Sequence, residues 1–395
     1  MTIGNGRQFL SIPGPTTVPD AVLQAMHRPA IDIYSGELIA ITESCHADLR
    51  RVFATDGKVY VYAANGHGAW EAALANVLSR GDTVLVLASG RFAVGWGEMA
   101  RMMGVTVETV PGSWRRAVDP AEVETRLRED REGRIKAVLV VQVDTASGVQ
   151  NDIPAIRRAI DAAGHGALFM VDTIASLATT PFEMDAWGVD VAVSGSQKGL
   201  MMPPGLGFVA AGARAREAHK TADLRTRYWD WTARDGELHY EKYCGTPPEH
   251  LLFGLRKALD MLFAEGLDNV FRRHRLLAGA VQRAVAAWAE GGALSFNVTE
   301  PDQRADSVTT ILVAGDKDAQ RLLEFCDRTC GVVVGITIGE LRGQGIRIAH
   351  MGHVNAPMTL GTLAAVEIGL GALGILHGRG GVQAAIDFLS GEVGG

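Results

Sequence analysis

Short apolar runs of strand length alternate with stretches whose apolar residues recur three and four apart along the first two-thirds of the chain. The runs at residues 58–63, 83–88, 105–110, 137–143, 167–171, 189–194 and 206–210 predict strands. Between them, 69–79, 95–103, 120–129 and 153–163 predict helices, and two more helical patterns lie within 20–55. Such alternation predicts an α/β fold with a mainly parallel sheet sandwiched by helices. Near residue 250 the pattern changes. Long helices with charged outer faces follow at 251–265 and 267–290, then strands near 308–313 and 345–350, with helices at 317–329 and 357–376. The expected organisation is an irregular N-terminal segment, 1–20, around Pro13-Gly14-Pro15, a large domain, 21–254, and a smaller α+β C-terminal domain, 255–395.

With 47% hydrophobic and 21% charged residues, the 395-residue chain is able to bury a sizeable core. Its net charge of -7 gives no support for nucleic acid or an anionic membrane as partner. No apolar run reaches membrane-spanning length uninterrupted; residues 360–376 come nearest, with Glu367 inside. The N-terminus lacks a basic segment followed by an apolar stretch, so no signal peptide is expected. Four cysteines, with no Cys-x-x-Cys pair, fit a reducing compartment, and the cytoplasm is the expected location. His350 and His353 stand three apart without an acidic or Cys partner, so no metal site is expected.

Two of the apolar runs end in chemistry. One leads to Met170-Val171-Asp172-Thr173, the other to Ser194-Gly195-Ser196-Gln197-Lys198-Gly199. In an open α/β sheet, ligands sit at the carboxyl ends of the strands. An amine and a carboxylate there suggest a carbonyl cofactor held as a Schiff base on Lys198, with Asp172 pairing its ring nitrogen. The alternatives are a solvated surface lysine and an aspartate that caps a helix. Asn65-Gly66-His67-Gly68 falls between a strand and a helix, a turn suited to an anion such as phosphate. A dinucleotide fingerprint fits less well, since its third glycine is missing. Phe92, in Ser89-Gly90-Arg91-Phe92, either stacks on a cofactor ring or belongs to the core. Asp144-Thr145-Ala146-Ser147-Gly148 is either a hydroxyl-bearing cofactor loop or an ordinary turn. Arg347, inside the apolar strand pattern 345–350, needs a partner: a substrate carboxylate or a structural salt bridge.

Together with Pro13-Gly14-Pro15-Thr16, Pro203-Pro204-Gly205 and Tyr243 before Thr246-Pro247-Pro248, these landmarks resemble the class V aminotransferases of pyridoxal-phosphate fold type I. Within them the serine/alanine/aspartate–glyoxylate group is the most similar, over nearly the whole chain. The resemblance implies pyridoxal 5'-phosphate on Lys198, Asp172 at the ring nitrogen, Phe92 on the ring and Thr145 near its substituents. It places Asn65, Gly66, His67 and Gln197 around the phosphate, and Arg347 on the substrate carboxylate. Tyr243 and Thr246 would reach the phosphate of a neighbouring subunit, making a homodimer the smallest active unit. The implied reaction is ping-pong transfer of an amino group from serine, alanine or aspartate to glyoxylate or pyruvate. This chain also departs from the pattern. Ile31-Asp32-Ile33-Tyr34-Ser35-Gly36 stands where many glyoxylate enzymes carry His-Arg-Ser, so Tyr34 is expected near the substrate. The loop Glu and the extra Arg near Ile338 of pyridoxamine–pyruvate enzymes are missing, and Gln142-Val143 replaces a frequent His-Asn. Rival readings are a pyridoxamine–pyruvate aminotransferase, a lyase, a desulfurase using Cys326 or Cys330, a non-catalytic cofactor-binding regulator and a nicotinamide dehydrogenase.

Overall fold

The computed structural model describes residues 2–316 and 318–394. The expected helix start at 317 and the domain limits at 1 and 395 therefore lie outside the described residues. In chain order the first elements are β1 (Phe9–Ser11), α1 (Asp20–Met26), α2 (Glu37–Phe53), β2 (Lys58–Ala63), α3 (Gly66–Val77), β3 (Thr83–Leu87), α4 (Arg91–Met102), β4 (Thr106–Val110) and α5 (Pro120–Glu129). Then come β5 (Ile135–Val141), the short pair β6 (Val143–Asp144) and β7 (Val149–Gln150), α6 (Ile153–Ala162), β8 (Leu168–Asp172), β9 (Val191–Gly195), β10 (Leu206–Ala211), α7 (Ala213–His219) and α8 (Trp231–Arg234). The remainder is α9 (Glu249–Glu265), α10 (Leu267–Ala289), β11 (Leu294–Phe296), β12 (Val308–Val313), α11 (Asp318–Cys330), β13 (Val332–Ile336), β14 (Gly345–Ala349), α12 (Ala356–Leu373) and α13 (Gly381–Val393).

Local chemistry starts α5 and α6 where the sequence says they begin, whereas α3 and α4 begin at Gly66 and Arg91, three and four residues earlier than the expected 69 and 95. Asp119 caps α5 by accepting from Ala121 N–H, and Asp152 caps α6 by accepting from Ala155 N–H, each with a proline in the first turn. The large sheet has the order β2-β10-β9-β8-β5-β3-β4. It is parallel except at β10, which runs antiparallel to both neighbours. Two antiparallel steps restore direction, so β2 ends at the same edge as β3, β5, β8 and β9. That shared edge carries the site.

Period-two alternation fills both faces of this sheet. Val138 and Val140 join a core with α2, α5, α6 and α9, while Ala137 and Leu139 join another with α3 and α4. The second sheet, order β1-β13-β14-β12-β11, packs against α10, α11, α12 and α13 around a third core.

Three expectations are corrected. The N-terminal segment is not wholly irregular: Phe9, Leu10 and Ser11 pair in parallel with Val332, Val333 and Val334, making β1 the edge of the second sheet. The expected boundary at 254/255 cuts α9, whose Leu255, Leu259 and Leu262 are buried in the large domain. The changeover runs along α10 instead, with Val270 in the first core and Ala280 onward in the third. The C-terminal domain also holds β11, β13 and α13, which no strong pattern announced. By length and composition α12 is apolar enough to cross a membrane (18 residues, mean hydropathy 1.4). Its Leu363, Val366 and Leu370 are buried in the third core.

Candidate active site

Asp172 closes β8 and is 2% exposed. Its Oδ1 accepts from the N–H of Ile174 at 2.6 Å and its Oδ2 from the indole Nε1–H of Trp70 at 2.7 Å. Burial pushes its pKa up to about 7, and Asp144 adds to the push. The two donors and Lys198 oppose it.

Lys198 leaves the neighbouring strand through a braced turn. Ser196 Oγ–H donates to Pro203 O at 2.7 Å, and Thr16 Oγ1–H donates to Lys198 O at 3.1 Å. The amine donates to Pro13 O. Gly14 must be glycine here: its φ is 99°, and a Cβ would lie 2.5 Å from Lys198 Nζ. Burial pulls the amine down to about 8, helped by the charge of Arg347 and opposed by Asp172 and Asp144.

The anion turn is built from β2 and α3. Asn65 Oδ1 accepts from His67 N–H at 3.1 Å and Gly68 N–H at 3.3 Å, so its side chain caps α3 rather than serving a ligand. Gly195 lies opposite; a Cβ there would stand 3.1 Å from Gln197 Oε1 and 3.6 Å from Gly66 N. Gln197 Oε1 is buried and has no hydrogen-bond partner among the described residues.

A second buried carboxylate, Asp144, organises the other wall. Its Oδ2 accepts from Phe92 N–H at 2.8 Å and Ala93 N–H at 3.1 Å, and its Oδ1 from Ala146 N–H at 3.0 Å. One carboxylate thereby holds the start of α4, with Phe92, beside the loop carrying Thr145. Arg347, on β14, reaches this loop from the second sheet. Its Nη1 donates to Thr145 O at 2.7 Å and its Nε to Ile336 O at 2.6 Å. Neither partner is a carboxylate, and burial pulls the guanidinium down to about 10.

Gly66, His67, Phe92, Thr145, Asp172, Gln197 and Lys198 thus share one cavity of about 100 Å³ with Trp70 and Ile174. His67, Trp70 and Phe92 also line a wider groove of about 460 Å³ along α3 and α4. Tyr34, Tyr243 and Thr246 line no part of this cavity in the single chain. Tyr34 is 70% exposed, its ring edge-on to Tyr240 at 6.1 Å. Tyr243 is buried, its hydroxyl 3.1 Å from Thr42 Oγ1, and Thr246 is exposed just before α9. His350 is also internal, its ring nitrogens bonded to Asp306 O and Thr309 Oγ1. No group of three or more potential ligands is placed to hold a metal among the described residues. Sequence reasoning missed Trp70 and Asp144 as site residues. The available signal for Trp70 was its spacing, one helical turn after Gly66 and so on the same side of α3.

A sequence model of the family described as Aminotransferase class-V matches residues 9–341. The chain belongs to the class-V aminotransferases. It is a transaminase by family, and the mainly parallel α/β sheet with its smaller second lobe agrees. The chain is 38% identical to the serine–glyoxylate aminotransferase of Methylorubrum extorquens, over 97% of this chain and 96% of that one. It is 37% identical to the L-aspartate–glyoxylate aminotransferase of Paracoccus denitrificans, over 92% and 91%. Among solved structures it is similar to pyridoxamine–pyruvate aminotransferase from Mesorhizobium loti, with a TM-score of 0.89 and 26% identity over 99% and 100%. The family implies pyridoxal 5'-phosphate, and the residues present fit it. A Cβ at Gly66 or Gly195 would crowd Ile174 or Gln197, Gln197 Oε1 is buried without a partner among the described residues, and an amine and an acid share the cavity.

Proposed function

We propose that the protein moves an amino group from a small L-amino acid (serine, alanine or aspartate) to glyoxylate or pyruvate by a ping-pong sequence. The observation that carries this reading is the convergence of Lys198 and Asp172 in one buried cavity, with Arg347 donating to the carbonyls of Ile336 and of Thr145, which lines that cavity. When bound, pyridoxal 5'-phosphate supplies a carbonyl that condenses with amines and a ring that accepts the electrons of the Cα–H bond. Lys198 is the attachment point and, once freed by the incoming amine, the base that takes the Cα proton. Its depressed pKa of about 8 leaves part of it neutral near neutral pH, as both roles require. Asp172 would face the ring nitrogen and, when ionised, hold negative charge against it. Phe92 covers the ring, fixed through its backbone N–H by Asp144. The backbone of Gly66 and His67 at the start of α3, with Gln197, receives the phosphate. Turned over, the Gln197 amide presents NH2 donors there. Arg347 grips the substrate carboxylate with the donors its two carbonyl partners leave free.

The active unit in this reading is a homodimer in which Thr246 and Tyr34 serve the neighbouring subunit's site, while Tyr243, buried with its hydroxyl on Thr42 of its own subunit, would have to leave that partner to take part. The exposure of Tyr34 and Thr246 supports it. Four free cysteines fit a cytoplasmic location. Of the two cysteines a desulfurase could use, Cys326 is buried and pushed up to about 12, and burial raises Cys330 as well. The test is a half-reaction screen. Each amino acid is added to the cofactor-loaded protein, pyridoxamine is added as a separate donor, and the loss of the visible absorbance is followed. Serine, alanine or aspartate should bleach it, with glyoxylate or pyruvate restoring it. A flat response to these and to glycine would overturn the assignment.

A further inference from the structure

Trp70 and Trp96 lie side by side, ring centroids 6.0 Å apart and planes within 16°, and both are buried. Their indole nitrogens differ. Trp96 Nε1 is buried without a hydrogen-bond partner among the described residues, while Trp70 Nε1–H points at Asp172 Oδ2, 2.7 Å away. One indole only packs; the other packs and donates. The donor comes from α3 and the acceptor from the end of β8, 102 residues later in the chain.

The rest of the surroundings makes this donor consequential. The backbone N–H of Ile174 is committed to the other carboxylate oxygen. The charged groups facing Asp172 are Lys198, from the turn after β9, and Asp144, from β6. Neither makes a hydrogen bond to it: Lys198 donates to Pro13 O, and Asp144 is engaged by backbone N–H groups. Trp70 is therefore the side-chain donor to a fully buried carboxylate. Its ring is held in place by Trp96 on one side and the edge-on ring of His67, 4.6 Å away, on another.

We propose that Trp70 is a positioning residue, its indole N–H aiming the Asp172 carboxylate at the cofactor's ring nitrogen and holding it ionised. This rests on the reading of Asp172 given above. A hydrogen bond to a buried carboxylate favours the charged form, so removing it favours the neutral acid. The magnitude of one charge-assisted bond corresponds to about one to two pH units in the carboxyl midpoint.

Full-length Trp70→Phe, Trp96→Phe and Asp172→Asn variants test the proposal. The protonated-carboxyl infrared band of Asp172, identified by its absence in Asp172→Asn, is titrated without cofactor. Trp70→Phe should raise its midpoint by about one to two units, and Trp96→Phe, which removes the neighbouring indole but no donor to Asp172, should leave it in place. With pyridoxal 5'-phosphate bound, Trp70→Phe should shift the pH dependence of the visible absorbance and lower kcat about tenfold or more, with KM for the amino acid little changed. Equal midpoints in wild type and Trp70→Phe would overturn the proposal. A shifted midpoint in a protein that transfers no amino group would instead leave the pairing standing and sink the functional reading. If Trp70→Phe does not fold, the wild type serves: the Trp70 indole N–H NMR signal should move with the Asp172 titration and lose that dependence in Asp172→Asn. An indole signal indifferent to that titration would also overturn the proposal.

Discussion

Replacing Gly90 by alanine should damage the site without touching any group that contacts substrate. Gly90 is the N-cap of α4, with φ 175° and ψ -170°, extended backbone that alanine adopts freely. The effect is therefore steric. A Cβ there would lie 2.2 Å from Asp144 Cγ and 2.4 and 2.5 Å from its oxygens. Ordinary contact needs the carboxyl group to retreat by about 1 Å. Its bonds to Phe92, Ala93 and Ala146 N–H span 2.8 to 3.1 Å, so that retreat carries them beyond hydrogen-bond range. Charge-assisted bonds of this kind are worth about 1.5–3 kcal/mol each, and backbone adjustment recovers part of the loss. The expected net destabilisation is about 2–4 kcal/mol, read from urea unfolding of wild type and variant. Phe92 moves with the start of α4, so affinity for pyridoxal 5'-phosphate should fall about tenfold or more by equilibrium titration. Gly371 is the control: it is exposed in α12, its Cβ would meet nothing within 4 Å, and alanine there should add up to about 1 kcal/mol. A Gly90→Ala protein within about 0.5 kcal/mol of wild type, with unchanged cofactor affinity, would refute the account of Asp144 as the clamp on this wall.

Lys198→Ala should lower turnover by about a thousandfold or more in steady-state assays, and a variant with near-normal rates would remove Lys198 from the mechanism. Burial and Arg347 depress the Lys198 pKa to about 8, and the neutral amine is the reactive form. Capture of pyridoxal 5'-phosphate by the apoprotein, followed by stopped-flow absorbance, should therefore accelerate as pH rises through about 8, and a flat profile across that value would contradict the assignment. Arg347→Lys cannot hold both Thr145 O and Ile336 O and still offer a fork, so KM for the amino acid should rise about tenfold or more, with a smaller change in kcat. His350 is fully buried and depressed to about 4 from its ordinary 6.5; its stabilising share is present above 6.5 and lost as pH falls through about 4. His350→Gln should flatten that part of the acid-unfolding curve, and an unchanged acid limb would assign the loss elsewhere.

Where a pattern is local, the sequence was sufficient. Short continuous apolar runs located the strands of the large sheet, and proline with aspartate caps marked the starts of α5 and α6. The run from Ser194 to Lys198 announced its own position, because a strand and the turn that leaves it are contiguous. Asp172 and Arg347 were legible for a similar reason: a charge at the end of, or inside, an apolar strand is costly without a partner. Local reading had no means of separating two uses of one side chain. Asn65 fits both a phosphate turn and a helix cap, and only the folded chain shows its oxygen taken by His67 and Gly68. Pairing across long separations was invisible as well. β1 finds β13 more than 300 residues away, and three residues are too few to carry a periodic signal. Trp70 is a fully apolar body with one donor, so along the chain it reads as core. The sheet decides its role by bringing the end of β8 beneath α3, where the indole N–H meets the Asp172 oxygen that Ile174 N–H leaves open. The amino-acid order thus determined which groups stand at the strand ends, and tertiary packing decided which of them meet, because burial compels polar atoms to find partners wherever the fold supplies them.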